Sequence, residues 1–143
     1  MTYPSDETLR DLLTSTRRFA CLGASANPGR PSHYVSQYLI AQGYDVVPVN
    51  PGLAGQEVFG APAVASLAQI EGPIDVLDVF RRSEAVPGLV REALRDLPGL
   101  RCVWLQLGVI SDEAAEMCDD AGVVFVQDRC TKIEHARLIG ASA

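Results

Sequence analysis

Lysine is nearly missing from this chain. Of its 12 basic residues only Lys132 is a lysine, and 18 acids leave a formal charge of -6. Aromatics make up 6% of the residues and no basic run occurs, so the sequence offers neither the positive stripe nor the stacking platform that nucleic acid requires. It also lacks any apolar stretch approaching the roughly 18 residues of a membrane span. The beginning, Thr2-Tyr3-Pro4-Ser5-Asp6-Glu7, is polar and has no apolar leader segment, so a cytoplasmic location away from the membrane is expected. The four cysteines, Cys21, Cys102, Cys118 and Cys130, form no C-x-x-C pair and have no histidines at zinc spacing. A metal site or a disulfide framework is therefore not expected. At 143 residues and 48% hydrophobic content, what is present is enough for one domain with a real core.

Apolar runs and turn residues divide the chain into an alternating series. Ser5 to Ser15 places Leu9, Leu12 and Leu13 at helical spacing after polar cap residues, which predicts an N-terminal helix packed outside the main unit. A strand ending near Gly23 precedes a second helix carrying Val35, Tyr38 and Leu39 on one face and stopping at Gly43. Tyr44 to Val49 reads as a second strand, broken by Pro51, which cannot donate to a ladder. Leu53 to Pro62 reads as loop with a short extended piece at Val58-Phe59, and Ser66 to Ile70 suits one helical turn. Ile74 to Phe80 is a third strand. Ser83 offers a cap to the clearest helix, with Val86, Leu89, Val90, Ala93, Leu94 and Leu97 on one stripe. Cys102 to Leu107 and Val123 to Gln127 supply two more strands around a helix, Asp112 to Ala121, capped by Ser111 and closed by Gly122.

Strands alternating with helices predict a parallel sheet with helices on both faces. The expected fold is a Rossmann-like three-layer α/β domain spanning residues 1-143, with five strands in the order 3-2-1-4-5. The flavodoxin-like order 2-1-3-4-5 shares the same alternation. In either order a ligand crevice lies outside the carboxyl ends of the strands.

The segment Phe19 to Ser32 is the most telling. An apolar strand runs into Gly23-Ala24-Ser25-Ala26-Asn27-Pro28-Gly29-Arg30, then into a helix opened by Pro31 with Ser32 as an expected cap. Gly23 lets backbone approach a ligand, Arg30 adds charge, and a helix N-terminus favours an anion. Ser32 to Gln37 contains no acid, whereas Asp112 and Glu113 already occupy the first turn after Ser111. The second helix is the vacant anion site. Arg81 and Arg82, after the third strand, bring further planar cations to the same edge. Taken singly, each arginine also reads as a solvated surface residue, and Gly23 and Asn50-Pro51 serve equally as turn formers.

The dinucleotide fingerprint G-x-G-x-x-G is absent, since only Gly23 and Gly29 occur in this turn. Where a nicotinamide site places an acid, after the second strand, this chain has Asn50 and Pro51. Both departures weigh against NAD. Asp75 and Asp78 fall on opposite faces of a strand and are read as structural. His33 and His135 are read as solvent-facing. Cys21, Cys102 and Cys118 are read as core, and Cys130 as a packed thiol whose neighbour Arg129 would favour its thiolate.

The ordered set Leu22-Gly23-Ala24-Ser25, Arg30-Pro31-Ser32, Gly43-Tyr44, Pro48-Val49-Asn50-Pro51, Ser66-Leu67, Val79-Phe80-Arg81-Arg82-Ser83, Val103-Trp104-Leu105-Gln106-Leu107-Gly108 and Asp128-Arg129-Cys130 resembles the small stand-alone coenzyme A-binding domain proteins. The likeness runs from about Arg18 to His135. The same domain type forms the N-terminal part of the succinyl-coenzyme A synthetase alpha subunit. The resemblance implies that Gly23, Ala24, Ser25 and Arg30 surround the diphosphate, that Asn50 and Pro51 border the adenosine end, and that Phe80, Arg81, Arg82 and Gln106 flank the remaining cleft. The synthetase uses a phosphorylated histidine from a following domain, which this chain is too short to include.

With no catalytic constellation beside the cleft, the expected function is binding of coenzyme A or acyl-coenzyme A, by a module that senses, protects or presents it. The alternative is an NAD(P)-linked oxidoreductase or redox sensor using Arg81 or Arg82 for a ribose phosphate and Cys130 for redox. A homodimer is the default expectation for assembly.

Overall fold

The computed structural model describes residues 3–140; the remaining ends of the expected 1-143 domain lie outside the described residues. Along the chain run α1 (Asp6–Ser15), β1 (Arg18–Leu22), α2 (Pro31–Ala41), β2 (Asp45–Val49), β3 (Glu57–Val58) and β4 (Ala61–Pro62). Next come β5 (Val76–Val79), α3 (Val86–Asp96), β6 (Cys102–Leu105), α4 (Asp112–Ala121), β7 (Val124–Val126) and α5 (Thr131–Leu138). Five strands form one parallel sheet in the order β2-β1-β5-β6-β7, and β3 and β4 make a separate antiparallel hairpin.

Class, parallel sheet, helices on both faces and the extra N-terminal helix are as expected, but the strand order needs a correction. The third expected strand, here β5, pairs with β1 and does not lie outside β2. Counting sheet strands alone, the order is thus 2-1-3-4-5. The place outside β2 is held only by a single parallel bridge between Val49 and Val64. The reason lies in residues 51–62, where Pro51, Gly52, Gly55, Gly60 and Pro62 break the chain into a tight turn and a hairpin and leave no run long enough for a full strand.

The buried apolar side chains of the sheet alternate between two cores, as a strand's two-residue period requires. Phe19, Cys21, Val46, Val76, Trp104 and Val126 pack with α1, α2 and α5 through Leu9, Leu13, Val35, Leu39 and Leu138. Ala20, Leu22, Val47, Leu77, Val79, Val103 and Leu105 pack on the other face with α3 and α4 through Val86, Val90, Ala93, Ala114 and Cys118. Since α2 covers one face and α3 the other, the connections reverse direction between β1 and β5, and a crevice opens at their carboxyl ends.

Local signals explain the ends of most elements. Ser5 Oγ accepts from Thr8 N to cap α1, Ser111 Oγ accepts from Ala114 N to cap α4, and Gly122 closes α4 with φ 72°. Two expected caps fail. Ser32 is buried inside the first turn of α2 and makes no capping bond; Arg30 holds the cap position by backbone alone. Ser83 starts a short 3₁₀ turn, and its hydroxyl accepts from Ile110 N across the cleft mouth, so α3 begins later, at Val86. The helix α1 is strapped to α5 by Arg10 Nε donating to Leu138 O (3.1 Å) and by Arg137 paired with both oxygens of Asp6 (2.9 Å).

Candidate functional site

At the carboxyl edge of β1, β2, β5 and β6, closed laterally by the starts of α2 and α5, lies a cleft of about 1240 Å³. Gly23, Ala24, Ser25, Arg30, Asn50, Phe80, Arg81, Arg82 and Gln106 all line it. Pro51 does not; it turns away into a 3₁₀ turn, while the following Gly52 and Leu53 reach the cleft. The strands end earlier than the sequence pattern suggests, β5 at Val79 and β6 at Leu105; Phe80 and Gln106 follow them directly, with their N–H groups still donating to Leu22 O and Val79 O, and both line this space.

The β1–α2 loop is built by its own side chains. Ser25 Oγ accepts from Asn27 N (3.0 Å), Asn27 Oδ1 accepts from Gly29 N (3.0 Å), and Asn27 O accepts from Arg30 N (3.0 Å). Such short-range turns hold the loop in one shape before any ligand arrives. Gly23 has φ 90°, and a Cβ there would stand 2.7 Å from Phe80 O, so only glycine lets the ends of β1 and β5 approach. The N–H groups of Gly23 and Ala24 both donate to Val49 O, which removes them as anion donors. Those of Ser25, Ala26 and Ser32 donate to no described group and remain available.

Asn50 is committed in the same way. Its Nδ2 donates to Ala24 O (2.8 Å) and its Oδ1 accepts from Gly52 N (2.9 Å), so it clamps the loop to the end of β2. His33, expected at the surface, is buried, and its Nδ1 donates to Ser25 O (2.7 Å) beneath the loop. His135 is buried as well, sharing a 2.8 Å hydrogen bond with Tyr38 OH, and burial pushes its pKa down. The surface reading fails for both histidines because each is covered by a distant segment, His33 by the Phe59 ring and the Ser25 carbonyl, His135 by the rings of Tyr38 and Tyr44.

Charge is unevenly spent. Arg10, Arg18, Arg91, Arg95, Arg101, Arg129 and Arg137 use their side chains in hydrogen bonds or ion pairs within the protein. Among the described residues four arginine side chains make no such contact, and three of them, Arg30, Arg81 and Arg82, are on the cleft; the fourth, Arg17, precedes β1 and bonds only through its backbone, to Asp75 and Asp45. Lys132 joins them from α5, its Nζ 5.7 Å from the centre of the Tyr34 ring, and Glu84 is the one acid in the lining. In a chain of net charge -6, this edge gathers unneutralised cations.

The floor holds a buried acid. Asp78, 1% exposed, accepts from Gln106 Nε2 on Oδ1 (2.5 Å) and from Thr131 Oγ1 on Oδ2 (3.2 Å). Burial pushes its carboxyl up to about 7, and the two hydrogen bonds hold it from going further. Nearby, burial raises the Cys21 thiol strongly, and the charge of Asp78 adds to that. The structural reading of Asp78 is therefore incomplete, since it touches a cleft residue directly.

The wall formed by β6 and α5 is largely absent from the sequence reading. Leu107, Val109, Cys130 and Ile133 line it, with Leu107 60% and Ile133 54% exposed, and Tyr34 faces them from α2. Three of the six large apolar side chains exposed among the described residues thus border this one space. The available signal was positional: Asp128-Arg129 follows the last strand, so the next residues had to return over the same edge. Cys130 is buried at the start of α5, as a packed thiol, while Cys21, Cys102 and Cys118 lie in the core.

Known proteins resemble this chain in sequence and fold. YneT of Bacillus subtilis (strain 168) is 40% identical over 137 residues, 95% of this chain and 98% of that protein. The structure of cell-free ID.343 from Thermus thermophilus is 43% identical, with a TM-score of 0.90 over 95% of this chain and all of that one. At 18% identity, the dinucleotide forming acetyl-coenzyme A synthetase 1 of Ca. Korarchaeum cryptofilum shares the fold, with a TM-score of 0.63 over 81% of this chain and 27% of its own. The family described as "CoA binding domain" matches residues 17–136, which takes in every strand of the sheet and every cleft-lining residue. With that match running over most of its length, the chain belongs to the CoA binding domain family.

Proposed function

We propose that this chain binds coenzyme A or an acyl-coenzyme A in the cleft, as a module that is non-catalytic by itself and senses, protects or presents the cofactor. The observation that carries this reading is the convergence of free N–H groups at Ser25, Ala26 and Ser32 with the uncommitted Arg30, Arg81 and Arg82, at a helix start without acids. A diphosphate lies against that loop, with Gly23 and Ala24 shaping its floor. The adenosine end extends toward Asn50, Gly52 and Leu53, with Pro51 behind them. The remaining arm crosses Phe80 and Gln106 toward α5. Family membership supports the ligand class. On this reading the partner is a small molecule, the location cytoplasmic, and a homodimer the default assembly.

Thermal melts with coenzyme A, acetyl-coenzyme A, NADH and NADPH test it. A ligand at about 100 times its Kd adds about 2.7 kcal/mol, a rise in Tm of about 5 to 10 °C in a domain of this size. The proposal expects that rise with the two coenzyme A forms. A rise with NADPH alone would replace it with the oxidoreductase reading.

A further inference from the structure

With Asp78 ionised, the hydrogen bonds at the cleft floor take one direction. Gln106, 6% exposed, gives its Nε2 to Asp78 Oδ1 (2.5 Å) and to Thr131 Oγ1 (3.1 Å). The Thr131 hydroxyl in turn donates its single hydrogen to Asp78 Oδ2 (3.2 Å). Both N–H groups of the amide and the one hydroxyl proton are then used, and an ionised carboxylate can only accept. The opposite amide orientation would set Gln106 Oε1 against a carboxylate oxygen, two acceptors with no proton between them. Gln106 Oε1 accepts nothing from the described residues and, as Gln106 lines the cleft, it opens there.

We infer that Asp78 is a positioning residue that sets the hydrogen-bond polarity of the cleft floor. Through Thr131 and Gln106 it presents a carbonyl oxygen to the ligand, so the cleft selects a nucleotide whose side arm carries an N–H donor. This rests on the coenzyme A reading, in which the donor is an amide of the pantetheine arm. Such an arm starts from the diphosphate at the end of β1 and must pass β5 to reach β6, where Gln106 stands.

The groups facing Asp78 do not counter its charge. They are the Cys21 thiol from β1, which Ser36 of α2 contacts, Cys102 and Gln106 from β6 and its end, and Thr131 from α5. Burial raises both thiols, so they stay neutral, and the polarity of the floor follows the protonation of Asp78 alone.

Calorimetric titration with coenzyme A and with adenosine 3′,5′-bisphosphate, which lacks the arm, tests the inference. Asp78→Asn and Gln106→Leu each lose about 3- to 10-fold in coenzyme A affinity while the bisphosphate binds as to wild type. The wild-type preference for coenzyme A shrinks as the pH falls from about 8 to about 5.5, and in Asp78→Asn it stays flat. An unchanged preference in both variants, or equal losses on both ligands, overturns the inference and leaves the coenzyme A reading standing. Failure of wild type to bind coenzyme A at all overturns that reading and the inference with it.

Discussion

The two walls of the cleft are made differently. On the β1–β2 side the chain supplies backbone N–H groups, a loop locked by Ser25 and Asn27, and the cation of Arg30. On the β6–α5 side it supplies the exposed side chains of Leu107 and Ile133 with buried Cys130, above an acid hidden beneath Gln106. One wall is rigid and polar, the other apolar and laid over the core. A ligand with a charged head and a long, less polar arm matches both at once, whereas a bare phosphate would use only the first.

Breaking the first wall should cost most. Gly23→Ala forces a Cβ to within 2.7 Å of Phe80 O at φ 90°, and a loss of about 2 to 4 kcal/mol is expected in denaturant unfolding. A wild-type midpoint would mean that the β1 and β5 ends can separate freely. Asn50→Ala removes two hydrogen bonds that tie the loop to β2, and should lower stability by about 1 to 2 kcal/mol whether or not ligand is present. A loss of affinity with no change in melting would instead give Asn50 a direct contact with the ligand. Arg30→Ala has no internal partner to lose, so stability should hold while coenzyme A affinity drops about 10-fold, with a weaker dependence on salt. Equal affinities would remove Arg30 from the site.

The second wall gives smaller effects. Leu107→Ser with Ile133→Ser should reduce affinity for acyl-coenzyme A about 2- to 5-fold and leave adenosine 3′,5′-bisphosphate unaffected, as titration would show. The floor beneath this wall adds a pH effect on stability. The folded chain holds the Asp78 carboxyl at about 7 against an ordinary 3.8, so its contribution is fully present below about pH 4 and is lost as the pH rises through about 7. Asp78→Asn should flatten the unfolding midpoint across that window; an unchanged slope would place the titration elsewhere.

Much of the first wall was legible because its signals are local. Gly23, Pro31, the missing acids after Ser32 and the arginines act within a few residues of where they stand, and strand alternation alone brings them to one edge. Asn50 was legible as a cleft residue but not as a clamp, since its partner Ala24 lies across the β1–β2 pairing. Of the second wall only Gln106 was legible. Thr131–Leu138 has no clear apolar stripe, and Ile133 reaches the cleft only because α5 packs beside α1 and α2 with its start at the cleft.

The sequence by itself determined the alternation of strands and helices, the two apolar faces of the sheet, and an acid-free helix start after a glycine turn. Periodicity, caps and helix dipoles act over one or two turns of chain and can be read in order. Only the tertiary structure decided that β5 lies beside β1, that His33 and His135 are buried, and that Asp78 orients Gln106. These depend on which strand is adjacent to which and on how completely water is excluded, and both are properties of distant segments brought together.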